Sequence, residues 1–81
     1  MRVNGIAEEL SPKELGVLTH LVENDGRALT RSQILKKVWG AGIFVTDRSV
    51  DRAVKVIRSR LGKMGTKLET VRGIGYRWND S

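Results

Sequence analysis

Residues 48–61, R-S-V-D-R-A-V-K-V-I-R-S-R-L, constrain the fold more than any other stretch of this chain. Wound as a helix at about 100° per residue, they place Val50, Val54, Ile57 and Leu61 on one stripe, with Ala53 at its edge. Arg48, Arg52, Lys55 and Ser59 fall on the opposite side, Asp51 and Arg58 on one flank, and Val56 and Arg60 on the other. The wet side of a surface helix ordinarily mixes acids with bases. The centre of this one holds three cations and no carboxylate, so one face requires a hydrophobic core and the other favours an anion.

The 81 residues suffice for one domain with a single small core. Their charge is unevenly spread: residues 1–45 carry 6 bases and 5 acids, a net +1, and residues 46–81 carry 9 and 4, a net +5. The basic half begins where the amphipathic helix begins, which favours a polyanionic partner such as nucleic acid or an anionic membrane surface. With no cysteine and a single histidine, thiol chemistry, disulfides and a Cys/His metal site are ruled out, and no cofactor is expected. No apolar run approaches the ~18 residues of a membrane span, and the N-terminus lacks the apolar core of a signal peptide. A soluble, cytoplasmic chain is the expectation, and a Met1 so close to a strong helix start suits a piece of a longer protein.

The elements follow from local signals. Residues 2–10 read as two very short strands about an Asn4-Gly5 turn, a remnant of an N-terminal sheet that is too short to stand alone. Residues 11–25 read as a first helix, with Ser11 as N-cap, Pro12 at the first position and Glu14 completing a capping box. Leu10 and Leu15 have staple spacing; Leu15, Leu18, Leu21 and Val22 form the apolar stripe, and Gly26 follows the helix end. His20 falls on the polar side, where it reads as a solvated histidine. Residues 30–39 repeat the device with Leu29, Thr30, Gln33 and Ile34, and Ile34, Leu35, Val38 and Trp39 form the apolar side.

The loop of residues 40–46 brings Ile43, Phe44 and Val45 together between glycines and the next helix. These apolar residues either fold back as a lid over the core or stay exposed as a protein-binding patch. The amphipathic helix spans 47–61, with Thr46 or Asp47 as cap. Residues 66–78 then read as a β-hairpin, Thr66 to Val71 and Tyr76 to Trp78, with Arg72 and two glycines at its tip. Leu68 and Val71 have opposite parity, which suggests a bulge or an early turn. The tail Asn79-Asp80-Ser81 is expected to fray.

Two joined helices, the second cationic outside, make a helix-turn-helix whose second helix enters the major groove of DNA. On this reading Arg52 and Lys55 are donors suited to guanine edges, Val56 suits a thymine methyl, and Arg48, Ser49 and Arg58 suit phosphates. An alternative for Arg58 and Arg60 is pairing with Asp51 or Glu69. Arg72, a cation at a glycine-flanked tip, is exposed by construction and suits the neighbouring minor groove. Tyr76 and Trp78 read as hairpin and core packing, because a chain with four aromatics needs them there. Catalysis finds no support: the acids are dispersed and no nucleophile, base and orienting group can be assembled. Two rivals remain: an acidic-protein-binding module using Ile43, Phe44 and the basic face, and a shape reader of double-stranded RNA.

Four segments in order, L-S-P-K-E-L at 10–15, V-W-G at 38–40, D-R-S-V-D at 47–51 and T-V-R-G-I-G-Y-R at 70–77, resemble the DNA-binding output domain of OmpR/PhoB-type bacterial two-component response regulators. The resemblance covers residues 3–78 and implies an α+β winged helix-turn-helix, with three helices, a short N-terminal β stump and a C-terminal hairpin as wing. It implies promoter DNA as partner, with Arg48, Ser49, Arg58 and Thr70 on the backbone, Arg52, Lys55 and Val56 facing bases, and Arg72 in the minor groove. It further implies an RNA polymerase contact through Gly40, Ala41, Gly42, Ile43, Phe44, Val45 and Thr46, and a homodimer on tandem half-sites in the full-length protein. Ala53 and Val56 depart from the usual histidine and arginine, so a different target sequence is implied. A receiver domain is absent from this chain.

Overall fold

The computed structural model describes residues 9–40 and 45–80. The expected turn at Asn4-Gly5 and the loop positions Ala41 to Phe44 lie outside the described residues, as does Ser81. Among the described residues the segments are, in order, α1 (Pro12–Glu23), β1 (Ala28–Thr30), α2 (Arg31–Val38), α3 (Asp47–Leu61), a 3-10 segment (Gly62–Lys67), β2 (Leu68–Val71) and β3 (Gly75–Trp78). The fold is α+β, three helices against a three-stranded antiparallel sheet of order β1-β3-β2.

The helix starts are set by side chains within reach of their own backbone. Ser11 Oγ accepts from the Glu14 N–H at 3.2 Å while Glu14 Oε1 accepts from the Ser11 N–H at 2.9 Å. At α2 the Thr30 hydroxyl accepts from the Gln33 N–H at 3.0 Å and the Gln33 amide oxygen from the Thr30 N–H at 2.8 Å. Each box satisfies two donors that a helix start otherwise leaves to water, and substituting such a cap costs about 1 kcal/mol. Thr46 caps α3 through the Arg48 N–H at 3.3 Å.

The core is built by Val17, Leu18 and Leu21 of α1, Ile34 of α2, Val50, Ala53, Val54 and Ile57 of α3, and Leu29, Leu68, Tyr76 and Trp78 of the sheet, with Leu10 beneath α1. Leu15, Val22, Leu35, Val38, Trp39 and Leu61, read as stripe residues, are only half-buried and pack around its edge. Val17 lay outside the expected stripe of α1 and is fully buried, because sheet and helices enclose α1 over a wider arc than one stripe.

Three expectations change. Residues 28–30, of which Leu29 and Thr30 read from sequence as the staple and cap of the second helix, form β1 and pair with β3 in the register Ala28↔Arg77, Leu29↔Tyr76, Thr30↔Gly75. The hairpin carries no bulge: Leu68↔Trp78, Glu69↔Arg77, Thr70↔Tyr76 and Val71↔Gly75 pair in unbroken register, and Val71 sits half-buried on the opposite face at the strand end. Thr66 and Lys67 belong to the 3-10 segment rather than to the strand.

The tail is also better held than expected. The Asn79 N–H donates to the Lys67 carbonyl at 2.8 Å, the Asp80 N–H to Asp25 Oδ1 at 3.1 Å, and Lys67 pairs with the Asp80 carboxylate at 3.1 Å.

Candidate nucleic-acid interface

On α3 the core residues occupy one face, and Arg48, Arg52, Lys55, Ser59 and Arg60 are exposed on the rest. Among the described residues the side chains of Arg48, Arg52 and Lys55 have no hydrogen-bond or ion-pair partner, so their charge is open to solvent. Ser49, half-buried, lines a shallow hollow of about 230 Å3 with Trp39, Lys13 and Arg52. Val56 is half-buried and leans on the core, which leaves only part of its surface outward.

Of the two acids of this helix, Asp47 lies in its first turn and Asp51 is occupied elsewhere. Asp51 Oδ1 accepts from Arg31 Nε at 2.8 Å and from the Tyr76 hydroxyl at 2.6 Å, linking α2, α3 and β3 through one carboxylate. The hydrogen bond that Arg31 donates to Asp51, then the charge of that carboxylate, raises the Arg31 pKa. Burial, then the hydrogen bond to Asp51, raises that of Tyr76. The Arg31 and Arg58 guanidiniums lie 6.0 and 5.7 Å from the Tyr76 ring centre, within cation–π range.

Arg58 joins helix to wing. Its Nε and Nη2 donate to the Leu68 carbonyl at 3.0 and 2.7 Å, and Nη2 also donates to Thr70 Oγ1 at 2.8 Å. Neither alternative ion pair considered for it forms. Asp51 is taken by Arg31, and Glu69 is held by Arg77 and Asn79, whose hydrogen bonds lower its pKa, that of Arg77 the more strongly.

The wing tip is a turn in which the Ile74 N–H donates to the Val71 carbonyl at 3.0 Å, with Arg72 and Gly73 between them. Gly73 takes φ 80°, in the left-handed region that a Cβ disfavours. Arg72 is exposed and has no side-chain partner among the described residues, and Ile74 is 50% exposed beside it. Gly75 serves a different need: a Cβ there would lie 2.1 Å from the Leu29 carbonyl oxygen, so glycine lets β1 close against β3.

The family described as "Transcriptional regulatory protein, C terminal" matches residues 5–78. The chain belongs to the OmpR/PhoB family of response-regulator DNA-binding domains. It is 37% identical over 78 residues to the phosphate regulon transcriptional regulatory protein PhoB of Pseudomonas aeruginosa, covering 95% of this chain and 34% of that protein. To the sensory transduction protein RegX3 of Mycobacterium leprae it is 40% identical over 78 residues, covering 93% of this chain and 39% of the relative. The chain thus spans little more than a third of the length of these relatives. Among solved structures, the DNA-binding domain of Bacillus subtilis CssR superposes with a TM-score of 0.77 at 39% identity, over 85% of this chain and 76% of that one. The DNA-binding domain of the response regulator AdeR, solved in complex with an intercistronic region, does so with a TM-score of 0.74 at 25% identity, over 88% and 72%. These neighbours are winged-helix domains, and this OmpR/PhoB domain shares their fold.

Within that fold Arg52 and Lys55 sit on the open face of the second helix of the helix-turn-helix, and Arg72 on the wing. Sequence reasoning passed over Arg31, Asp51 and Tyr76 as a set, because their contacts join residues 20 and 25 positions apart. The one signal available was that Asp51 and Tyr76 both lie inside motif segments. His20, expected to be solvated, is half-buried: Asn24 Nδ2 donates to its carbonyl at 2.8 Å and lies 3.4 Å from its Nδ1.

Proposed function

We propose that this domain binds double-stranded DNA sequence-specifically by placing α3 in the major groove and the wing in the adjacent minor groove. The observation that carries the reading is the unpaired cationic face of α3, held in fixed relation to the wing by Arg58. Arg52 and Lys55 reach base edges as donors and Val56 offers its exposed part to a thymine methyl. Arg48, Ser49 and Thr70 bind phosphates, and Arg58, with Nε and Nη2 committed to the hairpin, has only Nη1 left for one. Arg72 enters the minor groove, where a narrow A·T-rich width favours a guanidinium.

In the full-length protein the domain acts as a homodimer on tandem half-sites about 10 bp apart. The loop Gly40 to Thr46, whose Val45 is 36% exposed, contacts RNA polymerase. The first element of support is the family, and the second is the separation of duties on α3, whose Asp51 is engaged by Arg31 and Tyr76 on one flank while Arg48, Arg52 and Lys55 face solvent. The protein works in the cytoplasm on promoter DNA and performs no catalytic step. Among the described residues no helix is long and apolar enough to cross a membrane.

Selection from randomised duplexes at physiological salt should return an enriched motif. On that site Lys55→Ala should relax preference at one base position, costing about 1–3 kcal/mol of discrimination there. Arg72→Ala should weaken binding and alter preference only in A·T-rich flanks. A flat selection profile, or both variants binding as wild type does, would sink the groove assignments.

A further inference from the structure

Asp51 and Arg58 lie on one flank of α3, and their spacing puts them about 10.5 Å apart along the helix axis. Both reach the hairpin at one cross-strand pair, Thr70 of β2 and Tyr76 of β3, which are register partners. Asp51 Oδ1 accepts from the Tyr76 hydroxyl at 2.6 Å, and Arg58 Nη2 donates to Thr70 Oγ1 at 2.8 Å and to the Leu68 carbonyl at 2.7 Å. The Arg58 guanidinium also lies 5.7 Å from the Tyr76 ring centre, so the two attachments meet on the sheet. Arg31 Nε donates to the same Asp51 oxygen at 2.8 Å and steadies the carboxylate from α2. Arg72 follows Thr70 by two residues, so whatever orients the Thr70/Tyr76 pair orients the wing tip. A single attachment leaves a pivot, whereas two separated ones fix an angle. The apolar packing of α3 on the sheet is non-directional and the hydrogen bonds are directional, so the angle is theirs to set.

We propose that Asp51 and Tyr76 are positioning residues that, together with Arg58, brace α3 against the wing at two points and so set the base-pair spacing between the major-groove motif and the minor-groove flank. The proposal rests on the reading of α3 and the wing as groove contacts, and adds to it a ruler for the distance between them. Neither residue touches DNA in this role: Asp51 acts through Arg52 and Lys55 on its own helix, and Tyr76 through Arg72. An error of one base pair moves the flank by about 3.4 Å along the duplex and about 35° around it. Hydrogen bonds of 2.6 and 2.8 Å break under a displacement of that size. The braced domain therefore loses one contact on a misspaced site, and a domain with one attachment left pivots to keep both.

The test is affinity for two duplexes carrying the selected half-site, one with its A·T-rich flank in place and one with that flank moved outward by one base pair. Wild type should bind the displaced-flank duplex roughly tenfold more weakly. Tyr76→Phe keeps the ring and removes only the hydroxyl, and should cut that ratio to about threefold or less. Asp51→Ala removes the same bond from its other end, so it should give the same ratio, and the double variant should lower it no further. Arg72→Ala should abolish the ratio, because the flank is then no longer read. A loss of stability or of a phosphate contact weakens both duplexes alike and leaves the ratio at its wild-type value, so an unchanged ratio in Tyr76→Phe overturns the brace. So does a wild type that binds the two duplexes equally, or a double variant whose ratio falls well below that of either single one. The two readings fail separately: if Arg72→Ala binds the in-place duplex as wild type does, the minor-groove reading fails and takes the brace with it. If Arg72→Ala weakens that duplex and Tyr76→Phe keeps the full ratio, the brace alone fails.

Discussion

Gly75→Ala should be among the most damaging single methyl additions in this domain, and its cost follows from the strand register. The new Cβ would stand 2.1 Å from the Leu29 carbonyl oxygen and 3.0 Å from Thr30 Cα, both backbone atoms of β1 that no rotamer change can move. Ordinary contact begins near 3.4 Å, so β1 must retreat by more than an ångström. That displacement breaks N–H···O bonds of a ladder only three residue pairs long. Overpacking of this kind costs about 1–3 kcal/mol, and each lost bond about 1 kcal/mol net. A total near 3 kcal/mol is a large share of the roughly 4–12 kcal/mol expected for a domain of this size.

The assay is thermal unfolding by circular dichroism, where about 3 kcal/mol corresponds to a Tm lower by at least ~12 °C. Gly73→Ala is the control. Gly73 takes φ 80° with nothing within 4 Å of its would-be Cβ, so only backbone strain of about 1–2 kcal/mol opposes it. Gly75→Ala must therefore melt well below Gly73→Ala. A Gly75→Ala variant melting within about 4 °C of wild type, or the reverse order of the two, would refute the argument from close approach.

Two further outcomes concern stability. Glu69 has a folded-state pKa below its ordinary value of 4.5, chiefly through the Arg77 hydrogen bond, so its contribution is present above the unfolded value and is lost as pH falls through the folded one. The urea midpoint of wild type should fall as the pH drops below the ordinary carboxyl value of 4.5, and part of that fall should vanish in Glu69→Gln; identical profiles would count against the pairing. Trp78 is fully buried, and its Nε1 has no hydrogen-bond partner among the described residues. Trp78→Ala should cost about 3–5 kcal/mol in urea unfolding, whereas Trp78→Phe removes the unsatisfied donor and should stay within about 1.5 kcal/mol of wild type. Equal losses in the two variants would contradict this.

Much of the fold is legible because its signals are local. The boxes Ser11/Glu14 and Thr30/Gln33 each act within one turn, and the stripe Val50, Val54, Ile57 follows helical spacing, so the helix starts and the buried side of α3 need no knowledge of the remaining chain. β1 was not legible for the opposite reason. Three residues are too few to show an alternating pattern, and Leu29 and Thr30 had already been explained as staple and cap. Leu29 is buried by the sheet while Thr30 caps the helix, so one short segment does both jobs.

What the sequence determined by itself was the cationic face of residues 48–61, the glycine-flanked arginine at the wing tip and the capped helices that carry them, since each is written in spacing along one element. What only the tertiary structure decided was the choice of partners. Asp51 goes to Arg31 and Tyr76, Arg58 to the Leu68 carbonyl and Thr70, and Gly75 to the backbone of β1. Each choice depends on which elements meet in space, and an arginine beside several candidate acceptors along a sequence pairs with the one that packing brings within 3 Å. The helix that opened the reading keeps Arg48, Arg52 and Lys55 free because spacing sets Asp51 on its flank, and packing then brings Arg31 and Tyr76 to that flank.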